Sequence, residues 1–243
     1  MADHKNQMDF IKKWEGGLSN DPRDIGPASQ PAPCVYQGQT GWHTNKGIIY
    51  STFESNAARL GYSATCENFF AMPDYIWLKI YKVSFWDKFL LDSYRSQAIA
   101  DVIVSLAWGS GLGGAYKQLA KFLNAGYNTN FRATTSDYNI ENVKAIRDVV
   151  REHTRTALGE KRLHLRLIQH MQQFYISLNK PVYIRGWLNR LNALYKFTYP
   201  SLRVAQQERK VLVFTLAAGS VAVLSIVGFL LYENENKPVR RAA

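Results

Sequence analysis

The sequence predicts a mainly α-helical body followed by one C-terminal transmembrane helix. Three observations carry that expectation. Apolar residues recur at helical spacing through much of the first 210 positions. Residues 25–47 break the spacing with Pro27, Pro31, Pro33 and several glycines. Residues 211–232 run for 22 positions without a charge.

Near the N-terminus, Phe10, Ile11 and Trp14 are spaced as one face of a short helix, and Gly16 and Gly17 are expected to end it in a left-handed conformation. The proline-rich stretch after it reads as loop or a short irregular hairpin. Residues 97–108 place Ile99, Val102, Ile103 and Leu106 on one helical face. Val143, Ile146 and Val150 repeat the pattern, as do Leu163, Leu167, Met171, Phe174 and Leu178 across 160–178. Gly109, Gly111 and Gly114 spell a literal G-x-G-x-x-G, but they follow a helical pattern rather than a strand. They read as a turn between two helices and not as a dinucleotide fingerprint. No internal repeat is visible.

The uncharged run at 211–232 is about 33 Å long as a helix, which matches the apolar core of a bilayer. Its few polar positions, Thr215, Ser220 and Ser225, make no polar stripe of the kind a soluble core helix shows. The N-terminus lacks the apolar run of a secretory signal. Between Arg185 and Lys210 six basic residues face the single acid Glu208, against Lys237, Arg240 and Arg241 beyond the span. The positive-inside rule therefore favours a cytoplasmic body, anchored in the inner membrane, with a short polar tail at 233–243 on the other side.

Composition narrows the partners. Of 243 residues 47% are hydrophobic and 13% aromatic, which excludes disorder as the default state. The net charge of +11 favours polyanions: nucleic acid, anionic lipid or the anionic polymers of a bacterial wall. Arginine and lysine are scattered without a dense run or an aromatic nucleic-acid motif, so no nucleic-acid partner is expected. Cys34 and Cys66 can either pair or stay as thiols. With His43 and Glu67 they lack the spacing of a zinc site, so neither metal nor cofactor is expected.

The segment WEGGLSNDPRD, residues 14–24, carries the chemistry. Glu15 stands at the end of the apolar helix, beside aromatic and apolar groups. A carboxyl desolvated in this way can stay protonated near neutrality, as a general acid must. Asp24 lies nine positions on, across a turn, where a carboxylate can remain ionised and activate a water. Together they supply the two carboxylates of glycoside hydrolysis. Asp21-Pro22 by itself is an ordinary turn.

These residues, followed by Thr44-Asn45-Lys46-Gly47-Ile48, resemble the signature of the N-acetylmuramidases of glycoside hydrolase family 108. Glu15, Gly16, Gly17, Asn20, Pro22, Asp24, Gly26, Thr44, Gly47 and Ile48 match its pattern. SFWDKF, QAIADVIVSLAWGSG and FYISLNKPVYIRGWLNRLNAL resemble the second half of the family, so the likeness spans roughly residues 5–198. Leu18 stands where an aromatic is usual, Pro27 replaces a glycine, and an insertion at 28–43 makes Thr40 a rival for the threonine position. Thr44 is preferred because Thr-x-x-Gly-Ile is intact there.

The resemblance implies a lysozyme-like helical fold with its irregular loop or hairpin near the active site. It implies a catalytic region at 1–84 and a helical region at 85–205 like the peptidoglycan-binding half of the family. It implies cleavage of the β-1,4 bond between N-acetylmuramic acid and N-acetylglucosamine in peptidoglycan glycan strands, with Glu15 as proton donor, Asp24 as water-orienting base and Thr44 as a water or substrate contact. The product would form with inversion, for which the carboxyl groups stand about 6.5–9.5 Å apart. Trp14, Asn20, Trp42 and Tyr50 are the candidate substrate contacts. Arg162, Trp187, Asn189 and Arg190 read as a helix packed on the catalytic half, Arg190 being buried in hydrogen bonds, or as direct contacts to glycan or stem peptide. With the membrane helix, this points to a phage lysis enzyme that waits for a holin-like permeabilising partner. The rival readings are a membrane-anchored, non-catalytic wall-binding or virion structural protein, and a pore former acting through its tail.

Overall fold

The chain begins by tying itself to a helix in its middle. Asp3 accepts from Lys5 N and caps the 3₁₀ turn His4–Gln7, while its own N–H donates to Gln97 Oε1 at 2.7 Å. Gln7, fully buried, donates to the carbonyl of Asp101 and to Ser105 Oγ. This stitching fixes the start of the short helix α1 (Met8–Trp14), whose Phe10 and Ile11 enter the core.

The computed structural model describes residues 1–21 and 31–207. Asp24, Pro22, Gly26 and Pro27, the expected span at 211–232 and the tail at 233–243 lie outside them. Met1–Leu202 forms one compact unit, and of the second unit, Arg203–Ala243, only residues 203–207 are described.

After α1 come three two-residue strands: β1 (Leu18–Ser19), β2 (Thr44–Asn45) and β3 (Ile48–Ile49). They pair antiparallel in the order β1-β2-β3, with Ser19 opposite Thr44 and Asn45 opposite Ile48. Helices follow: α2 (Tyr50–Ala57), α3 (Cys66–Phe70), α4 (Asp74–Tyr81), α5 (Gln97–Gly126), α6 (Ile140–His153), α7 (Ala157–Ser177) and α8 (Pro181–Thr198). The described residues are thus mostly helical, as expected, with the short hairpin where the proline-rich stretch ends.

The ending of α1 differs from the expectation. Neither Gly16 nor Gly17 takes a left-handed conformation. Glu15 itself leaves the helix at φ −90°, ψ 124°, because the chain must run straight into β1, and the carbonyl of Gly17 accepts from Lys46 N.

Ile99, Val102, Ile103 and Leu106 are all fully buried, as are Val143, Ile146, Leu163, Leu167 and Met171. The stripe on α7 outruns the core, however: Phe174 is only partly buried and Leu178 is exposed. Helix α5 packs against α6, α7 and α8 and carries much of the core. It breaks at Gly111, whose φ of 70° and ψ of 169° suit glycine almost alone, so the glycine-rich run does join two helical halves. Among the described residues α5 is also the one helix long and apolar enough to cross a membrane, yet 61% of its apolar window is buried inside the protein, as in a core helix. Cys34 and Cys66 are joined in a disulfide, which ties the insertion to the start of α3. By the chain-entropy argument a loop of 32 residues closed in this way gains about 3–4 kcal/mol.

One buried carboxyl makes stability depend on pH. Asp101, fully buried on α5, accepts from Asn6 Nδ2 and Gln97 Nε2, both at 2.9 Å. Burial outweighs these two hydrogen bonds and pushes its carboxyl from 3.8 up to about 7. The folded chain therefore keeps a proton that the unfolded chain has lost between about pH 4 and pH 7. Stability is greatest below the unfolded value and falls as pH rises through about 7. Three pH units correspond to about 4 kcal/mol as an upper bound. Asp101→Asn is expected to remove this contribution, so its unfolding free energy should change less than that of the parent between pH 5 and pH 8. Equal pH slopes in denaturant titrations would contradict the assignment.

Candidate functional site

Glu15 projects from the end of α1 under the β2–β3 hairpin. Its Oε1 accepts two hydrogen bonds: from Trp108 Nε1 at 2.8 Å and from Arg190 Nη1 at 2.6 Å. The second is also an ion pair, with the carboxylate side chain 17% exposed. Among the described residues Oε2 takes no hydrogen bond, so one oxygen is held and the other is left for a ligand.

Each neighbour is placed by a different part of the chain. Lys46 and Gly47 form the hairpin turn and both have positive φ, 50° and 77°, as a two-residue primed turn requires. A Cβ added at Gly47 would stand 2.5 Å from Glu15 Oε2 and 2.8 Å from Trp108 Cζ2. Glycine is therefore needed for backbone conformation and for the space the carboxyl occupies. The turn is pinned from outside. Lys46 Nζ donates to the Met72 carbonyl and to Asp74, Trp77 Nε1 donates to the Lys46 carbonyl at 2.9 Å, and Asn45 Nδ2 donates to the Phe69 carbonyl at 2.6 Å. Lys12, from α1, also bonds Asp74, and together with Lys46 it holds that carboxyl below its usual range. The turn and the helix that ends at Glu15 thus share one anchor.

Trp108 lies near the middle of α5, three residues before the break at Gly111. Its ring is walled by Phe85 at 4.8 Å, Trp77 at 5.7 Å and Tyr81 at 5.8 Å. Arg190 comes from α8, and its Nη2 is buried without a partner among the described residues. The surroundings of Glu15 are accordingly not apolar and aromatic alone, as the sequence suggested, because a guanidinium reaches the same oxygen as the indole. Arg190 was expected to be buried in hydrogen bonds, but nothing in the sequence said that Glu15 would be its partner. Trp108 carried no signal beyond its place before a glycine-rich run.

The other expected site residues scatter. Thr44 stands in β2, three residues before Gly47, opposite Ser19 and Ile49. Trp14 is partly buried, at the end of α1, with its ring 6.4 Å from that of Phe10. Asn20 is bound to Gln39, Nδ2 to Oε1 at 2.9 Å. Trp42 is 8% exposed, donates to the carbonyls of Tyr36 and Gln39, and meets the rings of Tyr36 and Phe70 edge-on. Tyr50 is 7% exposed against Phe53 and Phe69. Their burial gives Trp42 and Tyr50 packing partners on the page, and a sugar would have to displace those partners to stack on either ring.

A carboxyl group fixed through one oxygen by an indole and a guanidinium, with no hydrogen bond from a described residue on the second oxygen, presents that one oxygen beneath the hairpin turn. Residues 8–111 match the family model Glycosyl hydrolase 108. The matched segment contains Glu15, Thr44, Gly47 and Trp108, and the match supports a glycoside hydrolase; Arg190 lies beyond it. The solved structure of Brucella abortus SagA is similar over 82% of this chain and 95% of that one, with a TM-score of 0.54 and 18% identity. At that identity the likeness speaks for the fold. No curated protein sequence matches the chain.

Proposed function

We propose that the protein is a peptidoglycan hydrolase, an N-acetylmuramidase that cleaves the β-1,4 bond between N-acetylmuramic acid and N-acetylglucosamine. The observation that carries the reading is the setting of Glu15, held by Trp108 and Arg190 through Oε1 and open at Oε2. The Glycosyl hydrolase 108 match over residues 8–111, which include Glu15 and Trp108, supports it. Glu15 Oε2 gives its proton to the leaving glycosidic oxygen as the sugar develops oxocarbenium character, and Arg190 stabilises the carboxylate left behind. Asp24 orients the attacking water on the opposite face of the sugar, with Thr44 as a further contact to water or substrate, so the product forms with inversion.

The cellular side of the proposal rests on sequence alone. An anchor at 211–232 with a cytoplasmic body describes an enzyme made on the side of the inner membrane away from its substrate. In phage lysis such a body reaches the wall only after a permeabilising partner has acted. Reducing-end analysis of digested peptidoglycan tests the chemistry. New N-acetylmuramic acid reducing ends of inverted configuration at early times are expected. New N-acetylglucosamine ends, anhydro ends or retained configuration would overturn the muramidase assignment.

A further inference from the structure

From Lys161 to Gln207 the chain has eight basic residues and no acid. This run holds most of α7 and all of α8, joined by the turn at Leu178–Lys180, where Asn179 reverses the chain at φ 48°. Two of its arginines are already engaged. Arg190 is paired with Glu15, and Arg166 donates to the Gly126 carbonyl and lies over the ring of Tyr127. At the turn, Lys180 and Arg185 are exposed and enter no ion pair among the described residues.

The same turn carries apolar side chains into solvent. Val182 is 84% exposed, Ile176 47% and Leu178 39%. Three exposed aliphatic side chains within seven residues forgo the gain of burial, which marks a surface that something else covers. Helix α8 opens with Pro181 and has no acid in its first turn, so the positive end of its dipole adds to the charges of Lys180 and Arg185. The tip of the α7–α8 hairpin is thus both apolar and positive.

We propose that the α7–α8 turn docks on an anionic lipid surface, with Ile176, Leu178 and Val182 entering the bilayer interface and Lys180 and Arg185 meeting lipid phosphates. A bilayer interface offers acyl chains and negative charge side by side, which is what this tip can use. A second copy of the chain does not suit it, since two acid-free basic hairpins repel each other. An anionic wall polymer or nucleic acid answers the charge but leaves the three aliphatic side chains in water. Only eight residues separate Leu202, the end of the compact body, from the uncharged run at 211–232. Once that run is inserted, any contact of the body with lipid becomes intramolecular and gains a high effective concentration. The tethering rests on the anchor reading; the chemistry of the tip does not.

The test uses the full chain with Leu178→Cys carrying an apolar fluorophore, added to vesicles of phosphatidylcholine with or without phosphatidylglycerol. Cys34 and Cys66 are joined, so the added thiol takes the label. With phosphatidylglycerol present, the emission is expected to shift to the blue and to be quenched by spin-labelled acyl chains. In phosphatidylcholine alone, or at high salt, both effects should fade. Lys180→Gln with Arg185→Gln should lower the ratio of docked to undocked tip roughly fivefold for each charge removed. Lys161→Gln with Lys196→Gln removes the same charge elsewhere and should stay within about twofold. Val182→Asp should abolish quenching without lowering the melting temperature, since that side chain is 84% exposed. Absence of quenching in the parent, or equal losses from the two charge pairs, would overturn the docking. An emission change on adding anionic wall polymer that Val182→Asp preserves would overturn it too and assign the tip to the polymer. Alkaline extraction reads the anchor separately. A chain that resists alkali with an unquenched tip keeps the anchor and loses the docking, whereas a quenched tip on a chain that alkali strips does the reverse. Cleavage of glycan enters none of these readouts.

Discussion

Glu15→Gln is expected to abolish wall lysis, by at least about a thousandfold, while the protein still folds. The amide keeps the shape of the carboxyl, and its oxygen can still accept from Trp108 Nε1 and Arg190 Nη1, so the contacts that tie α1, α5 and α8 together are kept. What is lost is the transferable proton, and no other described carboxyl bonds this pair of donors. General acid catalysis is worth about 10² to 10⁴ in rate, and the loss should fall near the upper end because the leaving group is an alkoxide. Turbidity loss of purified walls, read beside thermal unfolding, decides it. Lytic activity within tenfold of the parent, in a variant with unchanged melting temperature, would remove Glu15 from the acid role.

Gly47→Ala should be nearly as damaging for a different reason. The new methyl would stand 2.5 Å from Glu15 Oε2 and 2.8 Å from Trp108 Cζ2, so the carboxyl must move by a large fraction of an ångström or the hairpin must lift. Displacements of about 1 Å at a reacting group cost roughly 10² in rate, and a comparable loss of activity is expected here. Alanine also resists a φ of 77°, which costs stability wherever it occurs. Gly61 provides the control, since its φ is 73° and a Cβ there meets nothing within 4 Å. Gly61→Ala should lose stability through the backbone and keep its activity, whereas Gly47→Ala should lose both. Equal activity in the two variants would mean that crowding at Glu15 is not what Gly47 prevents.

The part of the site that a sequence can show is the part built locally. Glu15 was legible because a helix, its glycines and a turn succeed one another within eleven residues, and Gly47 because Thr-x-x-Gly-Ile is a compact motif. The purpose of Gly47 was not legible, since it depends on a carboxyl 32 positions earlier in the chain. Trp108 and Arg190 were hidden for the same cause, being 93 and 175 residues from the oxygen they share. Helical periodicity says that α5 and α8 have buried faces; it does not say which polar tip at the rim of a face meets which partner. Aromatic identity was equally mute about Trp42 and Tyr50, since the same side chain serves a core and a sugar platform. Strands of two residues are too short for alternation to register, so the hairpin was read from its turn residues alone. The pairing of Cys34 with Cys66 depended on a 6.3 Å approach of their Cα atoms that spacing does not encode.

The origin of Arg190 on the last long helix of the body has a consequence for timing and for damage. A ribosome has made Glu15, the hairpin and Trp108 long before it reaches α8, so the nascent chain holds the carboxyl without its guanidinium until synthesis of the body is nearly complete. The proposed activity would be withheld from every shorter intermediate. After synthesis the contact depends on the packing of α8 against α5 and α7. A change that shifted α8 would take the guanidinium from Glu15 while leaving both carboxyl and hairpin chemically intact.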